Sequence, residues 1–208
     1  WAMVCRARHP IPTRIHEFRL KTWCVRSTGY LPSTWGIDHV QAVMGISMRG
    51  MQAFRWMSTF PDFMDKAMPI DGSPHMTSFD LLQWQTHHDI VKMMQAGGMH
   101  QAKIAVILSR VGLLTLFTPE YFVEQVPATG LDQFVRDSDA SYTSFDVTDY
   151  VSQLEAMIDH DLIGDTDESI TDFVRKVAAD VLIMAHRKIT WLTGAQSTRF
   201  QGARCAIF

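Results

Sequence analysis

The chain has 208 residues, of which 47% are hydrophobic and 20% charged, and its formal net charge is −3. This composition supports the hydrophobic core of one domain, or of one domain and part of another, and excludes a disordered chain and a small disulfide scaffold. Three cysteines without metal-ligand spacing argue against structural zinc and indicate a reducing compartment.

Charge is distributed unevenly along the chain. Residues 1–28 contain six Lys and Arg against one Glu, whereas residues 132–172 contain twelve acids against one Arg. A basic arm and an acidic region suit an enzyme that holds a polyanion and a divalent metal at separate places, although solvated loops explain either segment alone. No apolar run reaches the ~20 residues of a membrane span, and no signal peptide is indicated. We expect both ends to be cuts through a longer reading frame.

The N-terminal region is predicted to be irregular because it contains several prolines. The rest of the first half is predicted to form helices joined by turns. Apolar residues at helical spacing predict a helix from Ile37 to Met64, which Pro61 ends or bends. A turn is predicted at 69–74. Ser78 is a favourable N-cap and opens another helix, which the glycine pair at 97–98 stops.

The second half alternates helical patterns with polar segments. A helix or buried strand is predicted over Ile104 to Phe117, and residues 121–135 are helical or irregular. A short β-branched run before Asp146 predicts a strand that leads into a helix. An acidic turn follows at 159–168, and the apolar residues from Ile170 to Met184 mark the clearest amphipathic helix.

Two short motifs, about fifty residues apart in the sequence, are the main basis for predicting a function. The first is Ser144-Phe145-Asp146-Val147-Thr148-Asp149-Tyr150, which places two carboxylates at the end of the predicted strand. Hard oxygen ligands of this kind suit magnesium. The second is Thr193-Gly194-Ala195-Gln196-Ser197-Thr198, which joins a flexible glycine to a hydroxyl residue four positions on.

Together these motifs resemble motifs A and B of the RNA-dependent RNA polymerases of double-stranded RNA viruses, the totivirus-like and cystovirus-like enzymes. The order and separation of the motifs match, with Thr193 in the place of the family's serine. The resemblance implies a mostly helical α+β fold, a partial right-hand polymerase. Its fingers-like region would span 1–138, and its palm-like region, incomplete at the C-terminus, would span 139–208.

The resemblance implies template-directed RNA synthesis from nucleoside triphosphates by two-metal nucleotidyl transfer. Asp146 would bind the catalytic metal, Mg²⁺ or Mn²⁺, and Asp149 would have a supporting catalytic role. Gly194 would give its loop mobility, and Thr198 would contact the nascent pair or ribose. The implied partners are an RNA template, a nascent strand, nucleoside triphosphates and a viral capsid protein, in the host cytoplasm or within a virion.

Further residues bear on this interpretation. Lys103 and Arg110 lie upstream of Asp146, where these polymerases grip the incoming triphosphate, so both are candidate substrate-binding residues; basic residues at the ends of an apolar element are more usually just solvated. Val151 departs from the Asp or Asn of the family and cannot hydrogen-bond a sugar 2′-hydroxyl. The Gly-Asp-Asp of motif C is absent from the sequence, so we expect no polymerisation by this piece alone.

Three alternatives remain open. His88-Asp89, with His39 upstream, resembles the core of the HD-type metal-dependent phosphohydrolases, in which imidazole and carboxylate ligands hold a metal that activates water. The acidic turn from Asp159 matches part of a calcium-binding loop but carries Ile170 where a glutamate is required. A non-catalytic helical domain is the third alternative, since aspartates near a helix start need no function.

Overall fold

The structure is a computed structural model that describes residues 36–142, 145–164, 169–184 and 205–207. The chain divides into two compact units. Unit 1 contains the described residues up to Thr77 and those from Asp159 onward, and unit 2 contains the described residues from Ser78 to Ile158. The boundary predicted between residues 138 and 139 therefore falls inside unit 2.

Unit 1 is built on a four-stranded sheet in which every neighbouring pair is parallel. The strand order follows the chain: β1 (Val40–Ile46), β2 (Met64–Ile70), β3 (Asp180–Ile183) and β4 (Cys205–Ile207). Parallel neighbours need a crossover connection, usually a helix. Helix α1 (Met48–Thr59) supplies it between β1 and β2.

A parallel sheet with a crossover helix defines an α/β unit. The predicted fold, a mostly helical α+β partial right-hand polymerase, is therefore wrong. Between β2 and β3 the chain passes through the whole of unit 2 before it returns at Asp159.

The core of unit 1 lies where α1 packs with the sheet and with the returning chain. Burying a large apolar side chain contributes roughly 1.5–3 kcal/mol, and the ring of Trp56 also contacts the ring of Phe63 at a centroid distance of 5.1 Å. The buried members come from α1, from β2 and β3, and from the return segment, which is the described chain from Asp159 up to β3: Phe54, Trp56, Met57, Met64, Ala67, Leu162, Phe173, Ala179, Val181 and Ile183.

The helix predicted from Ile37 to Met64 is wrong in its first part, which forms β1. The apolar residues Val40, Val43 and Met44 fit either a helix or a strand, and only Val40 and Val43 pack against the core of unit 1. Pairing of β1 with β2 decides the outcome, because it satisfies the backbone donors and acceptors of both strands. The remainder is helical as predicted, and α1 ends at Thr59, ahead of Pro61.

The helix predicted from Ile170 to Met184 also divides into two elements. Helix α7 (Ile170–Lys176) begins after Ser169, whose hydroxyl accepts a hydrogen bond from the Asp172 amide, and it ends before β3. In β3 the buried side chains alternate, as expected for a strand. Pairing with β2 therefore overrides the helical spacing of the apolar residues.

The regular structure described in unit 2 is helical. One buried cluster of its core consists of Val91, Ile104, Leu108, Val147 and Val151. Its helices are α2 (Ser78–Ala96), α3 (Gln101–Leu116), α4 (Pro119–Gln125), α5 (Leu131–Ser141) and α6 (Val147–Ile158), with a 3₁₀ turn at Ala128–Gly130.

The predicted helix that opens at Ser78 is confirmed, and the segment predicted as helix or strand after residue 103 is a helix, α3. A strand is predicted directly before Asp146, but the described residues there, Tyr142 and Phe145, do not belong to a strand. Tyr142 lies in a turn at the end of α5, and Phe145 and Asp146 have no regular structure. Residues 143 and 144 lie outside the described part of the chain.

Within the described ranges, no single helix has the length and hydropathy of a membrane span. Helices α3 and α4 reach such a length and composition only together, and the chain bends by 96° between them.

Replacing Gly72 with alanine should destabilise unit 1. A Cβ at this position would lie 2.5 Å from the carbonyl carbon of Gly50 and 2.6 Å from its Cα, which are backbone atoms that cannot rotate away. We expect the free energy of unfolding, measured in urea, to fall by about 1–3 kcal/mol. Gly97→Ala is the control, because its new Cβ would meet its nearest neighbours at 3.5 Å or more. Equal stability of the two variants would contradict the prediction.

Candidate active site

The turn between β1 and α1 places a serine in a strained backbone conformation. Ser47 has φ 57° and ψ −124°, which L-residues with a side chain rarely adopt. Such a conformation costs of order 1–3 kcal/mol and persists only where the surrounding structure enforces it. The Ser47 amide donates to the carbonyl oxygen of Ile70 at 2.8 Å, which fixes the turn against the end of β2.

Glycines on both sides of Ser47 permit this sharp turn. A Cβ on Gly45 would lie 2.2 Å from the carbonyl oxygen of Arg49, so the chain turns back on itself more closely than any side chain allows. A Cβ on Gly50 would lie 2.8 Å from the carbonyl oxygen of Ile70. The segment Gly45-Ile46-Ser47-Met48-Arg49-Gly50 is thus a strand-to-helix turn with serine at its apex.

Ser47 occupies the N-cap position of α1, yet its side chain makes no capping hydrogen bond to that helix. The first amides of a helix have no partner within it, and the helix dipole favours negative charge at this end. The Met48 amide follows Ser47 directly. A serine on such a turn, next to the amide of the following residue, has the arrangement of a nucleophile elbow. The usual second glycine of that motif is replaced by Arg49, and Gly50 follows.

Asp71 lies at the same end of the neighbouring strand. It follows β2 directly and has φ 46°, and its amide donates to the carbonyl oxygen of Met184 at 2.8 Å. The Met184 amide donates in turn to the carbonyl oxygen of Pro69 at 3.1 Å. These bonds fix the residue after β2 against the end of β3. Ligands of open parallel sheets bind outside the carboxyl ends of the strands, which is the edge that Ser47 and Asp71 share.

The turn after β2 is also held by the segment that returns from unit 2. A ring nitrogen of His160, Nε2, lies 3.0 Å from the carbonyl oxygen of Ser73. The Leu162 amide donates to the carbonyl oxygen of Pro74 at 3.0 Å, and Arg55 Nη2 lies 3.4 Å from the carbonyl oxygen of Asp161. A set of buried polar contacts therefore joins α1, the turn after β2 and the return segment within unit 1.

His160 is the most buried titratable group of this set, with 1% of its surface exposed. A carbonyl only accepts, so the contact with Ser73 requires the proton on Nε2; the other ring nitrogen, Nδ1, has no hydrogen-bond partner in the described structure. Burial lowers the pKa of His160 to about 4, and the nearby positive charge of Arg55 acts in the same direction. The imidazole is therefore neutral at pH 7 and is unsuited to exchange protons with a substrate.

The structure places the two predicted catalytic aspartates at the start of α6. Asp146 Oδ1 accepts hydrogen bonds from the amides of Thr148 at 2.7 Å and Asp149 at 3.2 Å, so Asp146 is the N-cap of the helix. Asp149 lies in the first turn, where a negative charge complements the helix dipole. Val151, which departs from the polymerase pattern, is buried in the core of unit 2.

Of the four predicted substrate-binding residues, the structure describes two, Lys103 and Arg110. Lys103 lies in the first turn of α3, and Arg110 lies further along the same helix, where its Nη2 is 3.1 Å from Asp139 Oδ2. A hydrogen bond from the Ser109 hydroxyl, and then the charge of Arg110, lower the pKa of Asp139. Gly194 and Thr198 lie outside the described residues.

The alternative metal sites have no support in the described ranges, where no group of three or more His, Cys, Asp or Glu side chains is arranged to hold a metal. His39 belongs to unit 1 and contacts Asp65 at 3.1 Å, whereas His88 belongs to unit 2 and contacts Glu155 at 3.3 Å. In the acidic turn, Asp161 Oδ1 accepts from the amide of Gly164.

Proteins that are similar to parts of this chain include acyltransferases and esterases. No family model matches the chain. A homoserine O-acetyltransferase of Gluconobacter oxydans is 56% identical over 39 residues, which are 19% of this chain and 10% of that protein. A probable esterase of Corynebacterium glutamicum is 36% identical over 62 residues, which are 30% of this chain and 18% of that protein.

Solved structures resemble the fold over most of the chain. An acetylester hydrolase from Corynebacterium glutamicum matches 93% of this chain with a TM-score of 0.81 and 19% identity. A homoserine O-acetyltransferase from Bacillus anthracis matches 93% of it with a TM-score of 0.79 and 16% identity. This chain covers 60% and 59% of the length of those two chains. Its fold is that of the α/β hydrolases.

These findings correct the functional predictions. The resemblance to viral RNA polymerases is contradicted, and with it RNA synthesis and the requirement for Mg²⁺ or Mn²⁺. The HD-type phosphohydrolase is unsupported as well. The RNA strands, nucleoside triphosphates and capsid protein remain untested predictions that depended on the polymerase function.

Ser47 was missed because its segment was interpreted as the interior of one helix. The signal that was present is the pair Gly45 and Gly50 around a serine, directly after a run rich in valine. Glycines cost helix stability and mark sharp turns, so their occurrence at the centre of a predicted helix favours a strand that ends there. Arg49 in the place of the second motif glycine hid the pattern.

Protonation of His160 should destabilise the fold at acidic pH. The pKa is about 4 in the folded protein and 6.5 in the unfolded reference, so between these values the unfolded chain binds more protons and the free energy of unfolding falls as the pH falls. We expect a loss of about 3 kcal/mol between pH 7 and pH 4. In His160→Gln this loss should be reduced by a similar amount in urea unfolding. Identical pH dependence of the two proteins would contradict the assignment.

We expect Asp146 to stabilise the fold by capping α6, and not by binding a metal. Asp146→Ala removes the N-cap of α6 and should lower the free energy of unfolding by about 1 kcal/mol. Asp146→Asn retains a capping oxygen and should stay close to the wild type. Melting temperatures with and without Mg²⁺ provide the check. Stabilisation of the wild type by Mg²⁺ that both variants lose would show that the carboxylate binds the ion.

Proposed function

We propose that the chain carries the catalytic nucleophile of an esterase or acyltransferase, and that this nucleophile is Ser47. The observation that carries the proposal is the strained backbone of Ser47 at the junction of β1 and α1, with Gly45 and Gly50 making the close approaches that hold it. A non-glycine residue at positive φ is costly. A serine held there, without capping its own helix, is best explained by a reaction of its hydroxyl.

The reaction is acyl transfer through a covalent intermediate. The Ser47 oxygen attacks the carbonyl carbon of an ester while a general base takes its proton, and the alcohol leaves as the acyl-serine forms. The negative charge that develops on the carbonyl oxygen is stabilised by amides at the start of α1, among them that of Met48. Water or a second alcohol then accepts the acyl group and frees the serine.

The names of the similar proteins favour small acyl groups. They include an acetylester hydrolase and an acetyl esterase among the structures, and homoserine O-acetyltransferases among both the structures and the curated relatives. We therefore propose acetyl or similarly short esters as the acyl donors. The chain spans about 60% of the length of those solved structures, so the groups that complete the site are not assigned from this stretch alone.

Replacing Ser47 with alanine should abolish covalent chemistry. We expect one fluorophosphonate adduct per wild-type chain by intact-protein mass spectrometry, none in Ser47→Ala, and a parallel loss of p-nitrophenyl acetate hydrolysis of about 10³-fold or more. Ser152→Ala is the matched control, because this serine is on a helix of unit 2 and its hydroxyl bonds the carbonyl of Thr148. Full labelling of Ser47→Ala would refute the proposed nucleophile.

The acyl acceptor can be determined with the same substrate. If water is the acceptor, acetate is the product and added homoserine leaves the rate of p-nitrophenol release and the yield of acetate unchanged. If an amino-acid alcohol is the acceptor, homoserine diverts the acetyl group from acetate to the O-acetyl product. The comparison separates an esterase from an acyltransferase without changing the protein.

A further inference from the structure

The turn that carries Ser47 has an arginine where its motif usually has a glycine. Arg49 is the second residue of α1, two positions after Ser47, and its side chain is exposed. A Cβ on Gly45 would lie 2.8 Å from the Cβ of Arg49. The glycine at position 45 therefore leaves the space that the base of the Arg49 side chain occupies, so the two residues fit together in one turn.

Arg49 differs from the other arginines of the described ranges in its contacts. The guanidinium groups of Arg55, Arg110, Arg136 and Arg175 each contact an oxygen atom of another residue, at distances from 2.9 Å to 3.4 Å. The described residues supply neither a hydrogen bond nor an ion pair to the guanidinium group of Arg49. Within this part of the chain, the positive charge of Arg49 is therefore available to a ligand.

The start of a helix is an unfavourable place for a positive charge unless a negative charge joins it. The helix dipole favours anions near the N-terminus and disfavours cations there. The first turn of α1 contains no acidic residue that would neutralise Arg49. The amides at the start of α1 and the guanidinium group therefore produce positive potential at the same place. An anionic group next to Ser47 would be stabilised by both.

We propose that Arg49 is a specificity-determining residue that binds a carboxylate carried by the substrate ester; this inference rests on the proposed function. Consecutive Cα atoms are about 3.8 Å apart, so the Cα atoms of Ser47 and Arg49 lie within about 7.6 Å of each other, a distance that an extended arginine side chain covers. The planar guanidinium group matches a carboxylate through two parallel hydrogen bonds. The substrate class is a short ester with a carboxylate close to the reacting carbonyl.

The carboxylate can belong to the acyl part of the ester or to its alcohol part, and two pairs of substrates separate these sources. For the acyl part, the mono-p-nitrophenyl ester of fumarate is compared with p-nitrophenyl crotonate, which has a methyl group in place of the carboxylate. The trans double bond of fumarate prevents the free carboxylate from attacking its own ester. For the alcohol part, 4-acetoxybenzoate is compared with its methyl ester, which has no charge.

Arg49→Gln removes the charge and keeps a polar side chain. In the pair that carries the recognised group, the ratio of kcat/KM for the charged ester to kcat/KM for the neutral ester should fall about 10-fold, because a hydrogen bond between charged groups is lost. Arg49→Lys retains the charge without the planar fork and should give an intermediate ratio. Arg175→Gln is the matched control, because this arginine is exposed in the same unit and contacts Asp172; its ratio should equal that of the wild type.

Salt and stability provide two readouts that a folding defect would not reproduce. The wild-type ratio should decrease as NaCl rises from about 0.01 M to about 1 M, because the Debye length falls from about 30 Å to about 3 Å. The ratio of Arg49→Gln should depend on salt much less. The melting temperature of Arg49→Gln should equal or exceed that of the wild type, because a cation is removed from the start of a helix.

The outcomes distinguish this inference from the proposed function. An unchanged ratio in Arg49→Gln for both pairs, together with complete loss of activity in Ser47→Ala, would overturn the role of Arg49 and leave the nucleophile in place. Equal slowing of the charged and the neutral ester would overturn it as well, because Arg49 would then act on the charge of the reaction itself. Activity and labelling retained in Ser47→Ala would overturn the nucleophile and, with it, the inference. A lower ratio in one pair or in both supports the inference and identifies the part of the ester that carries the recognised group.

Discussion

The close approach of α1 to the turn after β2 is the contact on which unit 1 depends. Gly50 and Gly72 meet backbone to backbone, without space for a Cβ on either residue. This proximity lets the Ser47 amide bond the carbonyl of Ile70, and it brings the start of a helix to the carboxyl edge of the sheet. The strained turn at Ser47 is therefore a consequence of how tightly the helix is packed.

Two buried polar side chains also stabilise this edge of the sheet, through hydrogen-bonding contacts and not through apolar burial. Arg55 is 3% exposed and His160 is 1% exposed, although both groups lose hydration when buried. Their contacts are with backbone carbonyls of the return segment and of the turn after β2. The polar set thus connects α1 to the return segment, and the return segment to the turn after β2.

The sequence predicted local structure better than it predicted pairing. The helices of unit 2 and the end of α1 before Pro61 follow from caps, glycines and prolines, which act over a few residues. The β1 and β3 segments were predicted as helices because their apolar residues fit both periods, and only their pairing with β2 settles the choice. The site was missed for the same reason, since Ser47 becomes unusual only when a strand ends there.

The same physical property of helix starts explains both the acidic motif at Asp146 and the position of Ser47. The amides at the start of a helix attract negative charge. At α6 a resident carboxylate, Asp146, accepts hydrogen bonds from two of these amides, so helix capping explains an acidic pattern that resembles a polymerase motif. At α1 the N-cap Ser47 does not bond its own helix. In the proposed function, the amides at the start of α1 stabilise a charge that develops only during the reaction, so the helix start without a capping side chain is the candidate active site.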